Sequence, residues 1–366
     1  MVVTEVALFP VRLRLHRPFV ISLGALTHAE NLFVRIRTDD GREGWGEASP
    51  FPTIHGETLA GALAVAPLIA RSLINFRPEI APAFTAQMQR LIYGNHALKS
   101  AFDIALYDLA AQAMELPLYR YLGGNNNRTL YTDYTVSLGP LKEMVEQARE
   151  VKAMGFSVIK VKLGDGADRD IARMAAIREA IGPDIPLRID ANQGWSFDEA
   201  VTALRGMDGF GIQHCEAPID RREWTRLPEL RRLSPLPLMA DESCWDHEDA
   251  RRLLAIGAVD RINIKLSKSG GLYKARKIIE QSDVPLQIGG FLESRLGFTA
   301  AAHLAMSSER VEYIDFDTPL MQEEDPVEGG IVYGGGGSIT LPETPGLGAR
   351  LRPEYQLPSP HQIITA

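Results

Sequence analysis

Two cysteines in 366 residues, Cys215 and Cys244, are too few for a disulfide framework. No apolar run is long enough to cross a bilayer: the longest, Leu59 to Ala70, covers 12 residues and contains Pro67, against the ~20 a spanning helix needs. The first 16 residues lack the apolar core of a signal peptide; Val11-Arg12-Leu13-Arg14-Leu15 alternates as a strand does. No basic block stands out, and 39 Lys and Arg against 47 Asp and Glu give a net charge of -8, the wrong sign for a nucleic-acid footprint. These features predict a soluble, cytoplasmic protein with neither a nucleic-acid nor a membrane partner. At 45% hydrophobic and 23% charged residues, the chain has ample material for a core.

Residues 1–56 read as strands and turns: Val2–Leu8, Asn31–Thr38, a hairpin turn at Asp39-Asp40-Gly41, then Glu43–Glu47. Residues 57–123 read as helices, with Ala101–Met114 the clearest, ending near Gly123-Gly124. From Thr129 the pattern changes to alternating strands and helices. The expected strands are Leu130–Ser137, Ser157–Leu163, Pro186–Asp190, Gly211–Glu216, Pro237–Asp241, Arg261–Lys265, Pro285–Gly289 and Val311–Phe316. Helical segments fill the seven gaps, most regularly at Lys142–Ala153 and Ala167–Ile181. Eight strands joined by seven helices predict a (β/α)7β barrel of the α/β class rather than an open sheet. The tail from about 327 has no helical period. Its Gly334–Gly337 run precedes no helix, so it reads as a flexible turn and not as a phosphate loop.

The strand Val158-Ile159-Lys160-Val161-Lys162 places two lysines on one face, since side chains alternate along a strand. Alone, this pattern suits a solvated edge. Its neighbours argue otherwise. Lys162, Asp190, Glu216, Asp241 and Lys265 close five successive strands at intervals of 28, 26, 25 and 24 residues, about one βα unit each. Barrel sites sit at the C-terminal strand ends, so the five side chains should converge on one mouth. A single acid after a strand is commonly a helix N-cap. Three on successive strands repel unless a cation neutralises them. An all-oxygen set suits Mg²⁺, one per subunit, with Mn²⁺ as a substitute. Lysines on both sides of a metal suit proton transfer at a carbon next to a carboxylate, with the metal stabilising the enediolate that forms. Burial and neighbouring charge should lower a lysine pKa toward ~7–8, the range of a useful base. A base on each face permits racemisation or epimerisation.

These residues resemble the enolase superfamily, in its muconate-lactonizing subgroup, over nearly the whole chain. The resemblance implies a modified TIM barrel at 126–326 with an α+β capping domain built from 1–125 and the segment 327–366. It implies Lys162 and Lys265 as the acid/base pair and Asp190, Glu216 and Asp241 as metal ligands. Lys160 would assist by its charge at the substrate carboxylate. No histidine lies between Lys265 and Phe291, which sets aside the mandelate-racemase arrangement. The last strand ends Tyr313-Ile-Asp-Phe-Asp-Thr-Pro-Leu320, with Asp315 and Asp317 on one face. In the dipeptide epimerases of the subgroup an Asp-x-Asp here binds the substrate ammonium, and Thr135 resembles a substrate-contacting position.

Residues 19–28 are expected to form a loop that lids the mouth. Gly24 aligns with an arginine that the Ala-Glu enzymes use, so the implied substrates are dipeptides with a small or apolar second residue. The segments Gln287–Gly297 and Asp315–Met321 are most similar to the D-Ala-D/L-Ala epimerase type. A homo-oligomer is also expected. Lys268 and Glu293 lie near the mouth, as catalytic support or as structural ion pairs. N-acylamino-acid racemisation, cycloisomerisation and o-succinylbenzoate synthesis are the alternatives on this scaffold. Their substrates carry no free ammonium, which Asp315 and Asp317 argue against. A non-catalytic binding protein would have no use for the full set of acids and lysines.

Overall fold

The computed structural model describes residues 1–357 and 361–365; residues 358–360 and 366, part of the expected tail segment, lie outside the described residues. Eight parallel strands run in sequential order around one sheet. They are Tyr134–Val136, Ile159–Lys162, Leu187–Asp190, Ile212–Glu216, Leu238–Ala240, Arg261–Lys265, Leu286–Gly289 and Val311–Ile314, here barrel strands one to eight. A parallel bridge between Thr132 and Ile314, with the Phe316 N–H donating to Thr132 Oγ1 at 2.7 Å, brings strand eight back to strand one. Strands two, three and seven are buried at every residue. That is the demand of a parallel barrel, where one face meets the interior and the other meets helices.

Helices occupy all seven gaps between these strands. Leu141–Ala153 buries Met144, Ala148 and Val151, spaced four and three apart on one face. Phe197–Gly206 opens with a capping box between Ser196 and Glu199. The protein is thus a (β/α)7β barrel.

A separate four-stranded antiparallel sheet carries Val3–Ile21, Gly24–Thr38, Glu43–Ala48 and the tail strand Gln362–Thr365. Helices Leu59–Leu73, Ala81–Leu91 and His96–Ala113 pack with it into an α+β cap. His96–Ala113 is buried along nearly its whole length. It lies so close to the third strand that a Cβ on Gly44 or Gly46 would strike the backbone of Ala105 or Ala101. The turn at Asp39–Gly41 forms as expected, with Gly41 at φ +84° donating to Thr38.

Two expectations are corrected. The strand expected at Leu130–Ser137 is two strands: Leu130–Tyr131 pairs antiparallel with Ser338–Thr340, and only Tyr134–Val136 joins the barrel. The segment 19–28 is not a loop. The first two strands of the cap run on as a long hairpin, paired as far as Ile21 and Gly24, because alternation persists through residues 11–15 and pairs with 29–31. In the tail, Gly334–Gly337 is the turn expected, with the Gly334 N–H donating to the Ser338 carbonyl at 2.8 Å.

Candidate active site

The extended hairpin places its tip over the barrel mouth. Ser22 Oγ donates to the Asn192 carbonyl at 2.7 Å, and the Val20 carbonyl accepts from the Leu138 N–H at 3.0 Å. Beneath it lies a cavity lined on the barrel side by Lys162, Lys265, Asn192, Thr135, Asp315 and Asp317. On the cap side Phe19, Ile21, Phe51 and Ile54 close it, and Phe291 and Phe298 complete an apolar wall.

Lys162 leaves strand two and Lys265 leaves strand six, half the circumference of an eight-stranded barrel apart. Lys162 Nζ lies 2.7 Å from Asp190 Oδ2, and Lys265 Nζ 2.8 Å from Asp241 Oδ2. Phe19 covers the first ammonium at 5.6 Å and Phe291 the second at 4.4 Å, both within cation–π range. Asp190, Glu216 and Asp241 are buried, and each offers a carboxylate oxygen within 4.8 Å of the others. Asp241 Oδ2 receives no aligned hydrogen bond despite its nearby ammonium. Lys268, wholly buried, donates to the other Asp241 oxygen and to the Asp241 and Asn263 carbonyls at 2.7 and 2.9 Å. Lys268 therefore orients an acid from below and does not line the cavity. Glu293 is likewise a bracing group: it accepts from Ser267 Oγ and from the Phe291 N–H.

An all-oxygen, fully buried, three-carboxylate set with one poorly satisfied oxygen fits a hard divalent cation. Burial would lower the pKa of Lys160 and of Lys265, but the facing carboxylates win and raise both. The cause is direct contact: Lys160 Nζ meets Asp315 at 2.7 Å, Glu216 at 2.8 Å and Asp190 at 3.5 Å. In return the acids stay ionised. Burial pushes up Asp190, Glu216 and Asp315, yet the lysines hold all three below the usual carboxylate range.

Asp317 behaves differently. Burial first, then the neighbouring Asp315, push its pKa up to about 7, although Thr135 donates its N–H at 2.6 Å. A carboxylate this close to an unpaired state favours a cation brought by a ligand.

Two proposed substrate positions do not reach the cavity. Lys160 lies beneath it, locked among three acids. Gly24 sits exposed at the hairpin turn with φ +137°, and a Cβ there would meet nothing within 4 Å. Three supporting residues escaped the sequence reading: Asn263, which donates to Glu216 at 2.7 Å, and the pair Arg188–Asp133 at 2.8 Å. Each stands two residues before a site residue (Lys265, Asp190 and Thr135), so the period-two argument applied to Lys160 and Lys162 would have found them.

Comparison with known proteins follows the same lines. Residues 3–123 match the family described as Mandelate racemase / muconate lactonizing enzyme, N-terminal domain, and residues 143–355 match Enolase C-terminal domain-like. The chain is 51% identical to the D-Ala-D/L-Ala epimerase of Cytophaga hutchinsonii, over 97% of each chain. It is 40% identical to the L-Ala-D/L-Glu epimerase of Bacillus subtilis, over 91% of this chain and 93% of that one. The crystal structure of the dipeptide epimerase from Cytophaga hutchinsonii with Mg and D-Ala-L-Val superposes with a TM-score of 0.97 at 50% identity, covering 100% and 99% of the two chains.

Proposed function

This chain belongs to the mandelate racemase/muconate lactonizing enzyme family of the enolase superfamily, and on that premise we propose that it is a magnesium-dependent dipeptide epimerase. It is an isomerase that inverts the α-carbon of the C-terminal residue by two-base proton transfer. The observation that carries this reading is the placing of Lys162 and Lys265 on opposite walls of one cavity that also holds Asp315 and Asp317. Asp190, Glu216 and Asp241 are the metal ligands. Bound there, Mg²⁺ would supply a Lewis acid for the substrate carboxylate and offset the negative charge of Asp241 and Glu216 that otherwise raises the Lys265 pKa.

One lysine, as the free amine, takes the α-proton from its face, while the other, as the ammonium, returns one from the opposite face. Inversion follows because the donor and acceptor are different groups. Lys160 holds Asp315 in place and contributes positive charge beneath the substrate. Asp315 and Asp317 receive the substrate ammonium, and Thr135 positions Asp317 through its N–H. An N-acylated substrate would bring a neutral amide to these acids and lose that attraction.

The second side chain meets Phe19, Ile21, Phe51, Ile54, Phe291 and Phe298. No arginine lines the cavity among the described residues, so alanine and other small or apolar residues are favoured over glutamate. Gly24, exposed at the hairpin tip, likewise supplies no cation. We assign 1–125 and 327–366 to the cap and 126–326 to the barrel, supported by the pairing of Gln362–Thr365 with the N-terminal strand. We also propose a cytoplasmic protein without nucleic-acid or membrane partners, assembled as a homo-oligomer; the two free, buried cysteines support the compartment and the net charge of -8 the absence of a nucleic-acid partner.

Deuterium incorporation in D2O tests the assignment with D-Ala-D-Ala, L-Ala-L-Glu and N-acetyl-Ala-Ala side by side. D-Ala-D-Ala should exchange fastest. Preference for the acetylated compound refutes dipeptide epimerisation; preference for Ala-Glu refutes only the apolar subsite.

A further inference from the structure

Beside the catalytic cavity lies a groove of about 300 Å³. Its origin is topological. Seven helices serve eight strands, so the first barrel helix, Leu141–Ala153, lacks one flanking helix. The chain after strand eight makes only a short turn, Thr318–Met321, and the hairpin arm around residues 16–19 stands on the other side. The groove lies between these parts. Phe19 and Thr135 line both it and the catalytic cavity, so the two spaces share a wall.

The position of that wall matters. Asp317 takes the Thr135 N–H at 2.6 Å, so an ammonium bound by Asp317 rests beside Thr135. The carbon that carries the ammonium has one substituent, its carbonyl, running toward the lysines. Its side chain must leave by another direction, and the shared wall is the side where space exists. We propose that this groove receives the side chain of the substrate's N-terminal residue, and that it accepts apolar side chains well beyond methyl. This inference rests on the dipeptide reading above.

The lining sets the chemistry. Phe19, Tyr134, Val151, Met154, Leu320 and Met321 supply apolar surface. Met154, at the end of the first barrel helix, is 53% exposed, and an occupant of the groove would cover part of it. The charges at the outer end already satisfy each other: Arg17 donates to both Glu150 oxygens, at 2.8 and 3.1 Å. They close the groove without seeking a charged ligand, so leucine, methionine and phenylalanine fit better than lysine or glutamate.

The test compares Phe-Ala with Ala-Ala, each assayed by α-deuterium exchange at the alanine C-terminal residue. The wild-type enzyme should exchange both, with kcat/KM for Phe-Ala at least equal to that for Ala-Ala. Filling the groove with Gln147→Trp, and separately with Met154→Trp, should lower the Phe-Ala to Ala-Ala ratio by about ten- to hundredfold, the loss expected when one apolar side chain is no longer buried. A wild-type ratio below one hundredth, or ratios within twofold of wild type in both variants, overturns the subsite. Absence of exchange on every free dipeptide, Ala-Ala included, overturns the functional reading itself, so the two failures are told apart.

Discussion

At the barrel mouth, Asp190, Glu216 and Asp315 face lysine ammonium groups; in the cap, Glu47, Asp103 and Asp108 face amides and hydroxyls, Glu47 and Asp103 across the seam with the barrel and Asp108 toward the cap's own tail. All six are buried. Glu47, from the cap, accepts from the Ser294 and Gly297 N–H groups, each at 2.8 Å, and from Asn31 at 2.7 Å. Asp108 accepts from the Trp45 N–H at 2.9 Å and the Leu347 N–H at 2.8 Å. Asp103 accepts from Thr85 at 2.6 Å and from the Tyr273 N–H at 3.2 Å. Burial, with no cation against it, pushes Glu47 up to about 7 and Asp103 and Asp108 up to about 6. The mouth acids move the other way. Ammonium partners on flexible stems can be exchanged for a metal or a substrate. Amide donors fixed in the backbone cannot, so the cap acids tie segments together while the mouth acids stay able to take up a ligand.

The sharpest way to break this contrast is to disable the mouth while leaving the seam alone. Chelation with EDTA should abolish exchange, and added Mg²⁺ should restore it. Asp241→Asn should keep the fold and lose metal affinity, checked by circular dichroism and isothermal titration; full activity in metal-free protein would refute the triad. Lys162→Ala and Lys265→Ala should each lower turnover by at least about 10²–10⁴-fold, the usual contribution of a general acid or base. Following deuterium from each epimer separately should show one-sided exchange in one of them. Near-normal turnover in both directions for both variants would sink the two-base scheme.

A smaller effect separates Asp317 from the metal acids. Asp317→Asn should cost about ten- to hundredfold in kcat/KM on free dipeptides, from the loss of a charge-assisted bond worth ~1.5–3 kcal/mol. Unchanged kcat/KM would remove Asp317 from the substrate site. At the seam, Glu47→Gln puts an amide donor against donors and should lower stability by about 1–3 kcal/mol in urea, with turnover per folded molecule retained. A loss of turnover without a loss of stability would make the seam part of the chemistry.

The least of these effects is a pH slope of opposite sign in the two regions. The cap acids hold protons in the folded state that the unfolded chain has released. Their stabilisation is complete below pH ~4, the unfolded carboxylate pKa, and is lost as pH rises through about 6 to 7. The mouth acids, with lowered pKa values, contribute stability above pH ~4 that is lost as pH falls below it. Thermal unfolding of EDTA-treated protein from pH 4 to 7.5 should show a shallower decline in Asp103→Asn than in the parent. Parallel curves would mean that Asp103 is ionised throughout.

The sequence alone determined the barrel and the convergence of its charges. Each βα unit is a local event, and its repeat of 24 to 28 residues delivers every strand end to the same mouth. Alternation along single strands sufficed for Lys160 and Lys162, and would have sufficed for Asn263, Arg188 and Asp133. What only the tertiary structure decided depends on contacts between distant residues. The hairpin runs to Ile21 and Gly24 because it leans on the barrel, Ser22 reaching Asn192 170 positions away. Gly24 ends in solvent for the same reason, a place no alignment of charges reveals. The cap acids find donors 247 and 239 residues along the chain, at Ser294 and Leu347. Lysine pKa values also belong to this class: the direction depends on whether burial or a facing carboxylate wins, and at Lys160 and Lys265 the carboxylates, less than 3 Å away, prevail.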